Sequence, residues 1–448
     1  MYKLKREVSL RDAVMINLGA IIGAGIFVII GIASYEAGSS IILSIVVSAI
    51  VALFTGLSFS EIALHTAKEG GVYEFAKESL HPFAGFIGGL LWTLGTTIAL
   101  AAVSISMIGY INTLFSISLP ITLAASLIII LFAFINALGI KSSTRTITIL
   151  VIINVMILLI FIFFGSHSIN YKNFYNFMPN GISGMLLGAA TIFFAFTGFS
   201  RITTIGDEIK NPKHTIPKAI IISIIISAII YTTVAIIAVG MIGTTALGSS
   251  TAPLSLAISK LNNPLLLLII SFGGITATAG VIFTGILGVS RVFFAMGRDN
   301  ELPKGLSRLD RFATPTNAII LSAIIGILFT FFVSFKNIVE ASNSCVLSAY
   351  VIINIAALFF WYKENNKKIT NKSTTFYTKI FPIIPLLGIL TIFIILIYII
   401  GITLPIIITI FILGTIYYKY RNSRVNKSAI PMHSKVRAFG KSRSVQNN

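Results

Sequence analysis

The sequence predicts an all-α membrane protein with twelve transmembrane helices. Ten form two inverted five-helix repeats with helices 1 and 6 broken, and two more are appended. Three observations carry this. First, 56% of the 448 residues are hydrophobic and only 10% are charged, against about 25% charged in a soluble chain. Such a chain cannot cover a water-facing surface. Second, apolar runs of membrane-crossing length recur along the whole chain. Third, the first and the sixth, at matching positions of two halves, are interrupted by glycines.

The runs are 13–34, 41–62, 84–115, 119–139, 147–165, 184–203, 218–243, 264–297, 317–335, 338–362, 380–400 and 402–418. About 20 helical residues cross the ~30 Å hydrocarbon layer. The runs 84–115 and 264–297 exceed that, so they tilt, break or project from the bilayer. The polar start "MYKLKREVSLRDA" precedes a run too long for a signal-peptide core, so no cleavable signal is expected. Residues 1–362 read as the ten-helix core and 363–418 as helices 11 and 12. Residues 419–448 form a basic cytoplasmic tail expected to be disordered.

The net charge of +19 is distributed by topology. With the N-terminus in the cytoplasm, 30 of the 33 Lys and Arg fall on the inner side, leaving Lys172, Lys260 and Lys336 outside. Both termini are thus expected in the cytoplasm of a multi-pass plasma-membrane protein. The charge points to anionic lipid as a partner, not to nucleic acid. The single cysteine, Cys345, lies in an apolar run, and the five histidines lie in loops, tails or helix ends. No disulfide, metal site or cofactor is expected.

The first run opens "GAIIGAGIF". Each glycine weakens a helix interior by roughly 1 kcal/mol. One reading is an unwound middle whose backbone N–H groups suit a carboxylate and whose carbonyls suit an ammonium. The other is close packing, since Gly19 and Gly23 have GxxxG spacing. The sixth run, "LLGAATIFFAFTGFS", has Gly188 and Gly198 around an aromatic cluster. Gly-interrupted runs at matching positions in two halves favour the binding-site reading.

Three further stretches stand out. "FFAFTGFSRITTIGDEIKNPKHTIPKAI" (193–220) has Phe196 and Phe199 as candidate cavity walls or gates, then a polar exit with Asp207 and Glu208. "SRVFFAMGRDNELP" (290–303) has Arg291 and Asp299 as candidates for an inner gate, pairing with acids such as Asp12, Glu61 or Asp207. "KEGGVYEFAKESLHP" (68–82) reads as a short interfacial helix. No ionisable residue lies near the middle of any run, so no proton relay is evident. With no Walker A motif, Ser/His/Asp set, HExxH or paired carboxylates at membrane depth, the chain does not read as an ATP-driven pump or an enzyme.

Residues 19–27, 70–76 ("GGVYEFA"), 193–220 and 290–303 resemble the amino acid–polyamine–organocation superfamily, within it the cationic amino acid transporter-like branch. The resemblance covers roughly residues 8–362. It implies a proton- or exchange-coupled amino acid permease of the leucine-transporter-type fold. Carried over by position, it puts a substrate carboxylate against the amides of Gly23, Ala24 and Gly25. The ammonium then meets carbonyls of Ile21, Phe194, Ala195 and Thr197, beside Phe196.

Two departures bear on mechanism. Where proton-coupled relatives have a helix 5 lysine, "GIKSSTRTITILVIIN" ends on Asn154, which does not titrate. Its amide is placed to bridge towards helix 8, where Thr276, Thr278 and Thr284 offer hydroxyls, so proton or sodium coupling stays open. Where the branch often has an acid after the helix 6 Gly-Phe, this chain has Ser200. Small or medium neutral amino acids are therefore expected. The alternatives are a polyamine or other organic-cation exchanger of the same fold, a non-transporting membrane sensor, and a channel.

Overall fold

A computed structural model describes residues 8–63, 71–139, 144–312, 314–366 and 381–429. The side chains of Ala24, Asp207 and Glu208 fall outside what is described, as do His65, His433 and the tail from 430.

Every apolar run falls on a helix. The first is split into α1 (Leu10–Ile21) and α2 (Ala24–Ala37). The next four are α3 (Ile41–Ala63), α5 (Pro82–Phe115), α6 (Ile121–Ala137) and α7 (Thr144–Ser166), with the short α4 (Val72–Ser79) before α5. The sixth run starts as α8 (Gly181–Ile192) and continues as a 3₁₀ segment, Phe193–Glu208. Then come α9 (Pro212–Ile242), the short α10 (Thr244–Gly248) and α11 (Pro253–Ser259), α12 (Pro264–Arg298), α13 (Thr316–Phe332), α14 (Phe335–Asn366), α15 (Ile383–Tyr398) and α16 (Ile400–Ala429). Among the described residues the sole extended pairing is a bridge between Val8 and Ile209, which ties the start of helix 1 to the exit of helix 6.

Local chemistry explains the helix starts. Ser9 and Asp12 form a reciprocal capping box on α1. The Ser9 hydroxyl and amide hold the Asp12 carboxyl below its ordinary pKa. Asn263 caps α12, with Pro264 in its first turn, where a missing N–H costs nothing.

Among the described residues, eight helical stretches are long and apolar enough to cross a membrane. One is Gly25–Ala63, which counts α2 and α3 together through the short turn Gly38–Ser40. The helices α6, α13 and α15 are apolar but shorter. Large apolar side chains such as Leu127, Phe134, Phe331, Phe393 and Leu413 point outward, as lipid-facing residues do.

Two stretches differ from the sequence expectation. The 68–82 stretch does form a helix, α4, but it is not confined to a surface: Tyr73, Phe75 and Ala76 are fully buried and pack against α5 and α14. The last helix runs on to Ala429, so the start of the basic tail is helical.

The broken elements lie at the centre. The α1 half packs against α9, α7 and the 3₁₀ segment, and the α2 half packs against α8. The long helices α5 and α12 pack on each other, and α5 also packs on α14.

Candidate functional site

Helix 1 breaks over two residues. The α1 half ends with the Ile22 N–H on the Leu18 carbonyl at 2.6 Å, and Gly23 precedes the restart at Ala24. The N–H groups of the first turn of α2, including that of Gly25, have no acceptor within their own helix. Helix 6 instead tightens at Phe193 and keeps three residues per turn to Glu208. Such long 3₁₀ runs are uncommon and mark hinges.

Two glycines set how closely these elements meet. A Cβ on Gly198 would sit 2.1 Å from the Ala20 carbonyl oxygen, against the last turn of α1. A Cβ on Gly25 would sit 2.4 Å from the Cα of Ala195. Gly23 therefore marks the break in helix 1, and Gly25 and Gly198 let the two backbones touch.

Tyrosines occupy the loosened carbonyls. The Tyr231 hydroxyl, from α9, donates to Ile21 O at 2.6 Å and lies 3.3 Å from Ala195 O. The Tyr350 hydroxyl, from α14, donates to Thr197 O at 3.0 Å. The Thr197 hydroxyl bonds Phe194 O at 2.8 Å. Thus each carbonyl expected to face an ammonium is already reached by a side-chain hydroxyl.

Phe196 and Phe199 are fully buried. Phe196 meets Tyr231 edge to face at 5.3 Å. Phe199 packs on Phe59 at 5.9 Å and on Tyr350 at 5.3 Å. Neither lines the cleft that opens at this junction; both pack against the surrounding helices.

A narrow cleft of about 50 Å³ opens where these parts converge. That is room for a handful of water-sized atoms. Helix 1 contributes Ile21 and Gly25, the 3₁₀ segment contributes Phe194, Ala195 and Thr197, and α5, α12 and α14 close the other sides. Arg201, which the sequence assigned to the basic inner end of its run, also lines this cleft. Its guanidinium donates to the Thr284 hydroxyl of α12.

Asn154 is buried on α7 and accepts a hydrogen bond from the Thr276 hydroxyl of α12 at 2.9 Å. The bridge from helix 5 to helix 8 is therefore present. Thr278 bonds back to its own helix.

Ion pairs gather beyond both ends of the cleft. At the C-terminus of α12, Asp299 pairs with Lys77 of α4, accepts from the Tyr73 hydroxyl at 2.9 Å and lies 3.3 Å from Arg298. Burial pushes the Asp299 carboxyl up, but Lys77 and Tyr73 outweigh it and hold the group below its ordinary pKa. Arg298 also reaches Glu74 at 3.5 Å. The expected partners differ: Arg291 is exposed and outside this cluster, and Asp12 is engaged in its helix cap. At the far end of helix 1, buried Glu36 accepts from Thr191 at 2.5 Å and from Lys336 at 2.8 Å, with Glu340 3.6 Å from the same amine. This cluster joins α2, α8 and α14.

Sequence reasoning missed Tyr231, Tyr350, Arg201 and the Glu36–Lys336–Glu340 cluster. The available signal was a Tyr in the interior of each of two apolar runs, because a buried phenol seeks a hydrogen-bond partner.

Comparison with known proteins gives consistent matches. The profile of the amino acid permease family matches residues 12–429. The chain is 31% identical over 385 residues to the branched-chain amino acid permease BcaP of Bacillus subtilis, covering 81% of this chain and 82% of that one. It is 28% identical over 404 residues to the methylthioribose transporter of Bacillus subtilis, covering 86% of each. It is 26% identical over 395 residues to cationic amino acid transporter 1 of Arabidopsis thaliana, covering 84% of this chain and 66% of that one.

Proposed function

Since this chain belongs to the amino acid permease family, we propose that it carries amino acids across the plasma membrane by alternating access, with the zwitterion held at the junction of helices 1 and 6. The observation that carries the reading is the cleft itself. It lies where the orphan amides of α2 and the loosened carbonyls of Ile21 and Ala195 come together. A carboxylate suits the first and an ammonium the second. The glycine contacts give the moving parts a close but unbonded seam.

Packing supports an inverted repeat of five and five helices in a twelve-helix chain. If α3, α5 and α6 correspond to α9, α12 and α13, each packs on its own counterpart. The contact of α7 with α12 is then mirrored by that of α14 with α5. The distribution of Lys and Arg supports cytoplasmic termini and contact with anionic lipid. Among the described residues no carboxylate lines the cleft, which disfavours a polyamine. Asn154 holds Thr276 without a titratable proton, which favours exchange over strict proton coupling.

The test is a thermal-shift screen of the twenty amino acids on purified protein, then counterflow in lipid vesicles with no imposed pH gradient. The expected result is stabilisation by at least one amino acid and exchange of it without the gradient. A protein that no amino acid stabilises or crosses through removes the proposal. Flux that requires the gradient moves the proton to a group other than position 154.

A further inference from the structure

A second hollow, larger than the cleft, lies where α12 ends and α13 begins. It holds about 450 Å³ between α5, α12 and α13, under the loop 302–306. Among the described residues that line it, every side chain is apolar except that of Asn317. The Asn317 amide donates to Gly305 O at 2.8 Å and so ties the loop to α13. Ordered water needs two to four polar partners, and this groove offers almost none. It suits an apolar occupant.

Its position shows which kind. Asn317, Leu321 and Ile325 recur at every fourth position, so they form one stripe about 12 Å long on α13. That length is most of one leaflet's ~15 Å share of the ~30 Å hydrocarbon layer. The next stripe of α13, Ile320, Ile324 and Leu328, is exposed and lipid-facing. On the other side, Leu90 of α5 borders α16, where a Cβ on Gly414 would sit 3.4 Å from its Cδ1. Within 404–423 of α16 only Gly414 is buried, so this helix too faces lipid. The groove thus opens sideways between two lipid-facing helices, and its end lies under a basic loop. Lys304 stands between the lining residues Pro303 and Gly305, and Arg308 follows Leu306 by two. Both are exposed, and neither pairs with a carboxylate among the described residues. The acid of this loop, Asp310, is occupied as the cap of α13, where it accepts from the Thr314 and Thr316 hydroxyls at 3.0 and 2.5 Å.

We propose that this groove is a binding site for one anionic phospholipid. An acyl chain lies along Leu90, Leu94, Leu321 and Ile325, and the phosphate headgroup meets Lys304 and Arg308. A cation pair at the end of an apolar groove complements a lipid that carries charge at one end only. The chain's own stretches 367–380 and 430–448, which lie outside the described residues, are basic and hold no Asp or Glu. They match neither the apolar walls nor the basic mouth. This site is separate from the amino acid cleft, and its test needs no amino acid.

The full chain is purified, stripped of lipid and titrated with phosphatidylglycerol or phosphatidylcholine, and the first bound lipid is counted by native mass spectrometry. Wild-type protein is expected to hold phosphatidylglycerol about tenfold more tightly than phosphatidylcholine. Lys304→Gln with Arg308→Gln should bring that ratio to within about threefold. Leu321→Trp, which fills the groove, should lose the first site for both lipids. A phosphatidylglycerol with a photoactivatable acyl chain should label α5 and α13 of the wild-type protein, and this arm stands even if a variant fails to fold. Equal affinity for the two lipids, or a preference that survives the double substitution, overturns the proposal. So does photolabelling confined to other helices, or a dimer that Leu321→Trp turns into a monomer, which would give the groove to a second copy of the chain.

Discussion

Helix 1 and helix 6 solve the same problem differently. Helix 1 breaks cleanly between Ile21 and Ala24 and leaves backbone ends that its own turns cannot satisfy. Its Ile21 carbonyl is served from another helix, by Tyr231, 210 residues away. Helix 6 does not break but narrows, and it bonds much of its backbone locally. Thr197 reaches Phe194 O at 2.8 Å and Thr203 reaches Ser200 O at 2.6 Å, both three residues back. It borrows as well, from Tyr350 and Asn343 of α14, from Tyr231 of α9 and from Ser44 and Ser48 of α3. The difference teaches a division of labour: helix 1 supplies poles, and helix 6 supplies a slim wall that is able to lie against them.

Gly198→Val is expected to have the largest effect, because it attacks the contact between the two elements. The new Cβ would fall 2.1 Å from Ala20 O and 2.3 Å from Ala20 C, and backbone atoms cannot step aside. Overpacking of this kind costs about 3 kcal/mol or more. Uptake should vanish and the unfolding midpoint in detergent should drop sharply. A wild-type midpoint would mean the two helices stand further apart than described here. Gly25 has a similar environment, 2.4 Å from Ala195 Cα, so a valine there should also lower stability rather than affect binding alone.

Much of this was legible in the sequence, for physical reasons. Hydrocarbon leaves few ways to arrange a backbone, so the apolar runs announce the helices. Glycines inside the first run announce its break, whereas the sixth run, also expected to break, narrows to a 3₁₀ segment instead. Asn154 could be aligned to a bridging position, and it meets Thr276. What was hidden depends on distance or on pitch. Tyr231 and Tyr350 find carbonyls far away in the chain, and nothing local encodes that. Arg201 sits at the inner edge of its run, where a basic anchor is expected. Only the change to three residues per turn brings it onto the face of Ala195 and Gly198. Asp299 was a sound choice for an ion pair, but its partners come from α4 and its own helix end, while Arg291 stays exposed.

Tyr231→Phe sharpens the comparison from the side of helix 1. The substitution keeps the ring against Phe196 and removes only the hydroxyl that serves Ile21 and Ala195. A buried acceptor left without its donor costs about 1–3 kcal/mol. Uptake should fall about tenfold, since the break loses the cross-link that orients its carbonyls. Full activity together with full stability would mean that helix 1 holds its broken geometry without outside help.

Thr203→Val is the matching change in helix 6 and should have the smallest effect. The side chain is buried, and its hydroxyl serves a carbonyl one turn back in the same segment. A local bond of this kind contributes about 0.5–1.5 kcal/mol net. The isosteric valine keeps the packing, and the 3₁₀ backbone bonds on either side persist. Uptake should stay within about twofold of wild type, with a shift in the unfolding midpoint well below that of Tyr231→Phe. The contrast matters more than either number. If Thr203→Val proves as costly as Tyr231→Phe, the local side-chain bonds of helix 6 hold its narrow face as firmly as the outside hydroxyl holds the break in helix 1.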